Sequence, residues 1–256
     1  MQYSTFAAID IGSYDVILEI FEISKKQGIR SVDKICHRME LGKDTYTLGK
    51  IRPEMEEELC RVLADFVRIM EGYRVDAYRA MASSAISEAA NSLYVLGKIR
   101  QLTGLSVTVL SNSEQRFLGY KALAAMEDNF NKIIEKGTAI LDLDGGSFQI
   151  SLFDKDALVT TQNIRMGSLR IRERLAGIQS ETEHYEEMVE ELIWNEVSSF
   201  KKMYLKDRKI ENIMLIGDVF TDSVYQNIEE KTTKIISREN FNTWYEKIIR
   251  QSPMEL

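Results

Sequence analysis

The chain has 256 residues, 44% of them hydrophobic and 29% charged, with a formal net charge of −7 and two cysteines, Cys36 and Cys60. That balance excludes a disordered or fibrous chain and describes a globular one with room for one large or two modest domains. The negative charge argues against generic nucleic-acid binding, the lack of a long apolar run against a membrane span, and the two unpatterned cysteines against a disulfide framework.

A reducing, cytoplasmic setting is therefore expected, and the start MQYSTF has neither the basic region nor the apolar segment of a signal peptide. Ser4 to Ile11 and Tyr14 to Ile23 read as strands. Ile29 to Ile35 follows as a third after the Lys26-Gln27-Gly28 turn, forming a meander at the edge of a mixed sheet. Arg38 to Lys50, with Gly42 and Gly49, reads as a loop with a short strand. Pro53 opens a helix whose stripe Met55, Leu59, Val62, Leu63, Phe66, Ile69 and Met70 runs to Gly72. Val75 to Ala82 is the next strand, and Ser83 to Asn91 has no clear form. Asn91 or Ser92 caps a helix with core positions Leu93, Leu96, Ile99 and Leu102, closed by Gly104. Ser106 to Leu110 is a strand, and Glu114 to Met126 a helix leading out of the first half.

The second half opens with strands at Thr138 to Leu143, Phe148 to Phe153 and Ala157 to Ile164, the last two joined by Asp154-Lys155-Asp156. Met166 to Arg170 leads into a short helix carrying Arg172, Glu173 and Arg174, where the two arginines read as a solvated face. A long helix from Glu181 to Tyr204 turns Met188, Leu192, Val197, Phe200 and Met203 inward. Ile213 to Ile216 is a strand, Ser223 to Glu230 a helix, Thr233 to Ile236 a last strand, and Asn240 to Ile249 an amphipathic end helix. With the hinge near the Glu114 to Met126 helix, the domains expected are 1–125 and 126–256.

One stretch organises this order: TAILDLDGGSFQISLF, Thr138 to Phe153. An apolar run ends in Asp142, passes a Gly145-Gly146-Ser147 loop and resumes. Gly145-Gly146 supply the dihedrals of a close turn, and such a loop can aim backbone N–H groups at an anion. A similar text occurs at Ala7 to Ser13, where Asp10 precedes Gly12-Ser13, and the two aspartates lie 142 − 10 = 132 positions apart. Two related halves follow. Asp10 and Asp142 read either as cation-positioning carboxylates at strand ends or as turn residues, and Gly12, Ser13, Gly145, Gly146 and Ser147 either as phosphate contacts or as ordinary tight turns.

Asp10-Ile11-Gly12-Ser13, Ala82 to Ile86, Asp142 to Ser147 and Met166 to Arg170 together, in this order, resemble the exopolyphosphatase and guanosine pentaphosphate phosphohydrolase (Ppx/GppA) family. The resemblance implies an α/β, duplicated ribonuclease-H-like (actin-like) fold with a cleft between two mixed sheets flanked by helices. It also implies hydrolysis of a terminal phosphoanhydride of polyphosphate or guanosine pentaphosphate, with Mg²⁺ and a water activated by a glutamate. Family chains commonly run beyond Leu256, so a short member and a truncated one both stay open. Asp142 and Asp10 stand at the metal positions, and Gly12, Ser13, Gly145, Gly146, Ser147 and Arg170 at the phosphate positions.

Departures from the family pattern fall on the chemistry. The expected base, the second glutamate of Ser-Gly-x-Glu-Glu-Ala, is Gln115 in Ser111 to Arg116, and the carboxylate closing the second loop is Gln149. An amide has no basic form near neutral pH, and general-base transfer is worth about 10²- to 10⁴-fold. Glu114 and Asp144 read either as substitute bases or as solvated or cation-paired side chains; Glu114 points about 100° away from its helix neighbour Gln115, and Asp144 opposes phosphate unless a cation intervenes. Tyr14 and Phe148 follow each loop's serine as packing or stacking groups. The expected outcome is a hydrolase of weak or altered activity that gains from Gln115→Glu with Gln149→Glu. The alternative is a catalytically inactive member that binds a phosphorylated nucleotide, polyphosphate or a protein partner. Sugar or acetate kinase chemistry on the same fold is a third reading, disfavoured by the blocks after Ser83 and Met166. No nucleic-acid or membrane partner is expected, and a homodimer is left open.

Overall fold

The computed structural model describes residues 3–26, 28–126, 129–179, 184–217 and 237–249. The first half builds β1 (Ser4–Ile11), β2 (Asp15–Ser24), β3 (Gly28–Arg38), α1 (Leu41–Leu48), α2 (Pro53–Gly72), β4 (Ala77–Ala82), α3 (Ser84–Ser87), α4 (Ser92–Thr103) and β5 (Val107–Val109). Their strands lie in the order β3-β2-β1-β4-β5, with β1 antiparallel to β2 and parallel to β4. Alternation explains the register. Ala7, Ile9 and Ile11 of β1 and Val16, Leu18 and Ile20 of β2 are all fully buried, and α2 covers them with Leu59, Leu63 and Phe66.

The second half repeats the plan. After α5 (Asn112–Met126) and α6 (Phe130–Ile134) come β6 (Thr138–Leu143), β7 (Phe148–Asp154), β8 (Ala157–Ile164), α7 (Ser168–Gln179), α8 (Tyr185–Tyr204), β9 (Asn212–Ile216) and α9 (Arg238–Ile249). Among the described residues its sheet runs β8-β7-β6-β9, the order of the first four strands of the other sheet. The middle strand, β7, is buried on both faces. Phe153 packs with Ile140, Phe130 and Ile134 on one side, while Phe148, Ile150 and Leu152 meet Phe200 of α8 on the other.

Several expectations change here. Arg38 to Lys50 is not a loop but ends β3 and forms α1, which starts after Glu40 at φ 48° and stops at Gly49 with φ 69°. Its buried face mixes Leu41 and Gly42 with polar Asp44 and Thr45, so no apolar stripe announces it. Buried Asp44 accepts from the backbone N and the Nε of Arg52, at 2.9 Å each, and Thr45 Oγ1 donates to the Ala85 carbonyl at 2.6 Å. On α4 the expected Ile99 is buried and Leu96 packs against the core, joined by Val95, whereas the expected Leu93 and Leu102 are 86% and 60% exposed. On α8 Phe200 is buried, but Met203 faces out. Cys60 packs in the core, while Cys36 is exposed. The expected helix at Ser223 to Glu230 and strand at Thr233 to Ile236 lie outside the described residues.

Candidate active site

Register across three strands builds the floor of the site. Asp142 of β6 stands opposite Gln149 of β7, which stands opposite Asn163 of β8, so the three polar side chains form one row. One step along the same face, Ser151 pairs with Thr161. α5 crosses this face and is bonded to it: Tyr120 Oη donates to Ser151 Oγ at 2.5 Å, and Arg116 Nη1 to Thr161 Oγ1 at 3.0 Å. These bonds fix the helix so that its first turn overhangs the row.

Between that turn and the row lies a cavity of about 10 Å³ lined by Asn112, Gln115, Asp142, Asp144, Ser147, Gln149 and Asn163. It has room for about one water molecule. Gln115 Nε2 donates to Asp144 Oδ2 at 3.3 Å, and the other Asp144 oxygen accepts the Gly145 N–H at 2.8 Å. Asp144 thus occupies a loop donor that an incoming anion would otherwise use. Five of the residues singled out from the sequence meet here: Gln115, Gln149, Asp144, Asp142 and Ser147. Glu114 does not line the cavity. It closes a capping box with Ser111, accepting from its backbone N at 2.9 Å and its hydroxyl at 2.7 Å, and these bonds hold its carboxyl below the usual range. Asp10 is exposed near the end of β1, between fully buried Ile9 and Ile11, and is also outside the cavity lining.

The oxygen set suits a hard divalent cation. Two carboxylates, a hydroxyl and the oxygens of four side-chain amides are the ligand types that Mg²⁺ takes. Asn163 Oδ1 is buried with no hydrogen-bond partner among the described residues, so it is a ready oxygen donor. No group of three or more His, Cys, Asp or Glu side chains suited to a metal occurs among the described residues, and any cation here would lean on neutral oxygens.

The two small-residue loops touch each other. Gly12, Gly145 and Gly146 are not in the left-handed region, so their value is close approach rather than turn dihedrals. A Cβ on Gly145 would lie 2.8 Å from the Tyr14 ring, and one on Gly146 2.2 Å from Tyr46 Oη and 2.3 Å from Ser84 Oγ. Tyr46 Oη is in turn bonded to Ser13 Oγ at 2.7 Å and Ser84 Oγ at 2.9 Å, and burial pushes its phenol up. Arg170 spans the junction. Its guanidinium lies 3.9 Å from the Tyr46 ring centroid, Nε donates to the Gly146 carbonyl at 2.7 Å, and Nη2 reaches both oxygens of Glu88 at 3.0 Å. Two residues on, Arg172 is not a solvated group: it pairs with Glu40 through Nη1 and Nη2, at 3.0 and 2.5 Å. Phe148 is a core residue behind the loop.

Sequence reasoning missed Asn112, Asn163, Tyr46, Ser84, Glu88 and Glu40. Asn163 had a signal, an inward polar residue in phase with Thr161 on β8; Ser84 and Asn112 stand inside blocks compared with the family pattern without being singled out, and Tyr46, Glu88 and Glu40 lie in segments read as irregular.

Two sheets sharing one strand order, each followed at a strand-end aspartate by a small-residue loop, with the two loops in contact, define the duplicated ribonuclease-H-like, actin-like class. The description "Ppx/GppA phosphatase family" matches residues 19–255, and the chain belongs to that family. It is 22% identical over 238 residues to a bifunctional 3-dehydroquinate synthase/phosphatase of Fusobacterium nucleatum, a match covering 88% of this chain and 34% of that protein. It is 26% identical over 144 residues to exopolyphosphatase 1 of Mycobacterium leprae, covering 56% and 41%. The chain thus spans well under half the length of these curated relatives. Among solved structures, an exopolyphosphatase from Cytophaga hutchinsonii superposes with a TM-score of 0.79 at 18% identity, covering 98% of this chain and 82% of that one. No described helix is long and apolar enough to cross a membrane.

Proposed function

We propose that the chain hydrolyses the terminal phosphoanhydride of polyphosphate or guanosine pentaphosphate with Asp144, rather than residue 115, as the general base. One observation carries this reading: the carboxylate missing at Gln115 stands one hydrogen bond away, 3.3 Å from its amide nitrogen, and both line a cavity the size of a water. Gln115 then orients the carboxylate by donating to Oδ2. A water in the cavity attacks the terminal phosphorus as its proton passes to Asp144, the phosphorus–bridging oxygen bond breaks, and the shortened chain leaves as an anion. Asp142, with the neutral oxygens of Gln149 and Asn163, suits Mg²⁺, which when bound supplies charge neutralisation at the phosphate.

The test is phosphate release from both substrates with Mg²⁺. Asp144→Asn is expected to lower the rate about 10²- to 10⁴-fold, and adding Gln115→Glu to that variant to recover at least about tenfold. An Asp144→Asn protein that keeps the wild-type rate overturns the assignment. No release by the wild type from either substrate leaves the second reading, a binding protein without turnover, which the Tyr46 hydroxyl packed against the Gly146 loop favours.

A further inference from the structure

The contact between the two loops is made by a side chain that neither needs for its own turn. Tyr46 comes from α1, yet its hydroxyl sits between Ser13 Oγ and Ser84 Oγ and against Gly146, closing the space between the first loop and the second. Those two hydroxyls, with the Arg170 guanidinium beside them, are donors of the kind that grip a phosphoryl oxygen. In this structure each is already engaged: the hydroxyls by Tyr46, and Arg170 by Glu88 and the Gly146 carbonyl. Tyr46 also fills the contact sterically, since its ring carries Arg170 on one face and its Cε2 lies 2.6 Å from where a Cβ of Gly42 would stand.

We propose that Tyr46 is a gate residue: its hydroxyl occupies the seat that a terminal phosphoryl group takes between Ser13, Ser84 and Gly146, and ligand entry requires Tyr46 to leave and Arg170 to exchange Glu88 for the phosphate. The inference rests on the reading above only in taking a phosphoanhydride as the ligand. A seat filled by protein lowers apparent affinity by the fraction of molecules in which it is open. Removing the hydroxyl removes two hydrogen bonds from the closed form and none from the open one. The gate therefore selects for ligands whose charge outbids two neutral hydrogen bonds and one ion pair, such as a phosphoanhydride chain, over a single weak anion.

Calorimetry with inorganic tripolyphosphate in EDTA, which withholds Mg²⁺-dependent turnover, tests it on the full chain. Tyr46→Phe is expected to bind about tenfold tighter than the wild type, from the two hydrogen bonds no longer broken. Glu88→Gln, which releases Arg170, is expected to bind tighter as well, and it carries the test should Tyr46→Phe fail to fold. Equal or weaker binding by the variants, or no binding by any of the three proteins, overturns the proposal. Tighter binding by Tyr46→Phe with no phosphate release in Mg²⁺ keeps the gate and rejects the hydrolase. Release by the wild type without tighter binding by the variants does the reverse.

Discussion

Returning a glutamate to position 115 alone exposes how the site has been rearranged. In the wild type the Gln115 amide donates to Asp144 at 3.3 Å, an attractive contact. Gln115→Glu turns it into two carboxylates at that separation. Two like charges about 4 Å apart repel by about 4 kcal/mol at an effective dielectric of 20. Both residues are half-buried beside a solvent-accessible cavity, so screening leaves about half, roughly 2 kcal/mol or 1.5 pKa units. The pair then shares one proton in the folded protein up to about pH 6, against about 4.3 for an isolated glutamate. A carboxyl whose folded pKa is raised binds more protons folded than unfolded. The variant therefore matches the wild type below about pH 4.3 and loses the full 2 kcal/mol as pH rises through 6. For a chain of this size that is a melting point about 4–8 °C below wild type at pH 8, closing at pH 4. Melting curves of the two proteins from pH 4 to pH 8 measure it. A gap that stays under 2 °C throughout, or widens towards acid, refutes the placement of Gln115 against Asp144.

Three further substitutions test the second half and its junction with the first. Arg172 holds the Glu40 carboxyl below its usual range through charge-assisted hydrogen bonds, so that ion pair stabilises the fold above the ordinary glutamate pKa and fades as pH falls below about 4.3. Because both groups are partly exposed, Glu40→Gln should cost about 1 kcal/mol at pH 7, a melting shift of about 2–4 °C that vanishes near pH 3. Glycines on and before α7 should respond oppositely. A Cβ on Gly167 would meet only backbone, the Asp144 carbonyl oxygen at 2.3 Å and Gly145 at 2.4 Å, so Gly167→Ala should yield little soluble protein, measured against total expression. Gly177→Ala, with nothing within 4 Å, should raise the melting point by gaining up to about 1 kcal/mol of helix propensity.

Legibility followed the physics of each segment. Strict alternation in β1 and β2 and the apolar stripe of α2 made them readable, because burial alone sets their pattern. α1 was not readable, since Asp44 and Thr45 replace its apolar face with hydrogen bonds to residues distant in sequence. On α4 Leu96 and Ile99 were read correctly, but Leu93 and Leu102 fit the same three-residue spacing while drifting to the solvated edge of the stripe, where Val95 takes their place. At the site, Asp142, Asp144, Gln149 and Gln115 stood out as changes within a resemblance. Their meeting in one cavity did not, for it depends on strand register and on where α5 crosses. The loop glycines were noticed for the wrong reason: their service is to let Tyr14 and Tyr46 approach, and nothing local in the sequence says so.

The three ion pairs at the junction are drawn one way round. Glu40 and Glu88 belong to the first half, while Arg165, Arg170 and Arg172 belong to the second, with Arg165 3.6 Å from Glu88. Separation of the halves would uncover an acidic lip on one side and a three-arginine lip on the other, giving the mouth an electrical polarity. A polyanion approaching a molecule of net charge −7 would then be repelled by most of its surface and drawn to a single edge. Landing on the second half first, it would meet Arg170 before it met the first-half loop that carries Ser13.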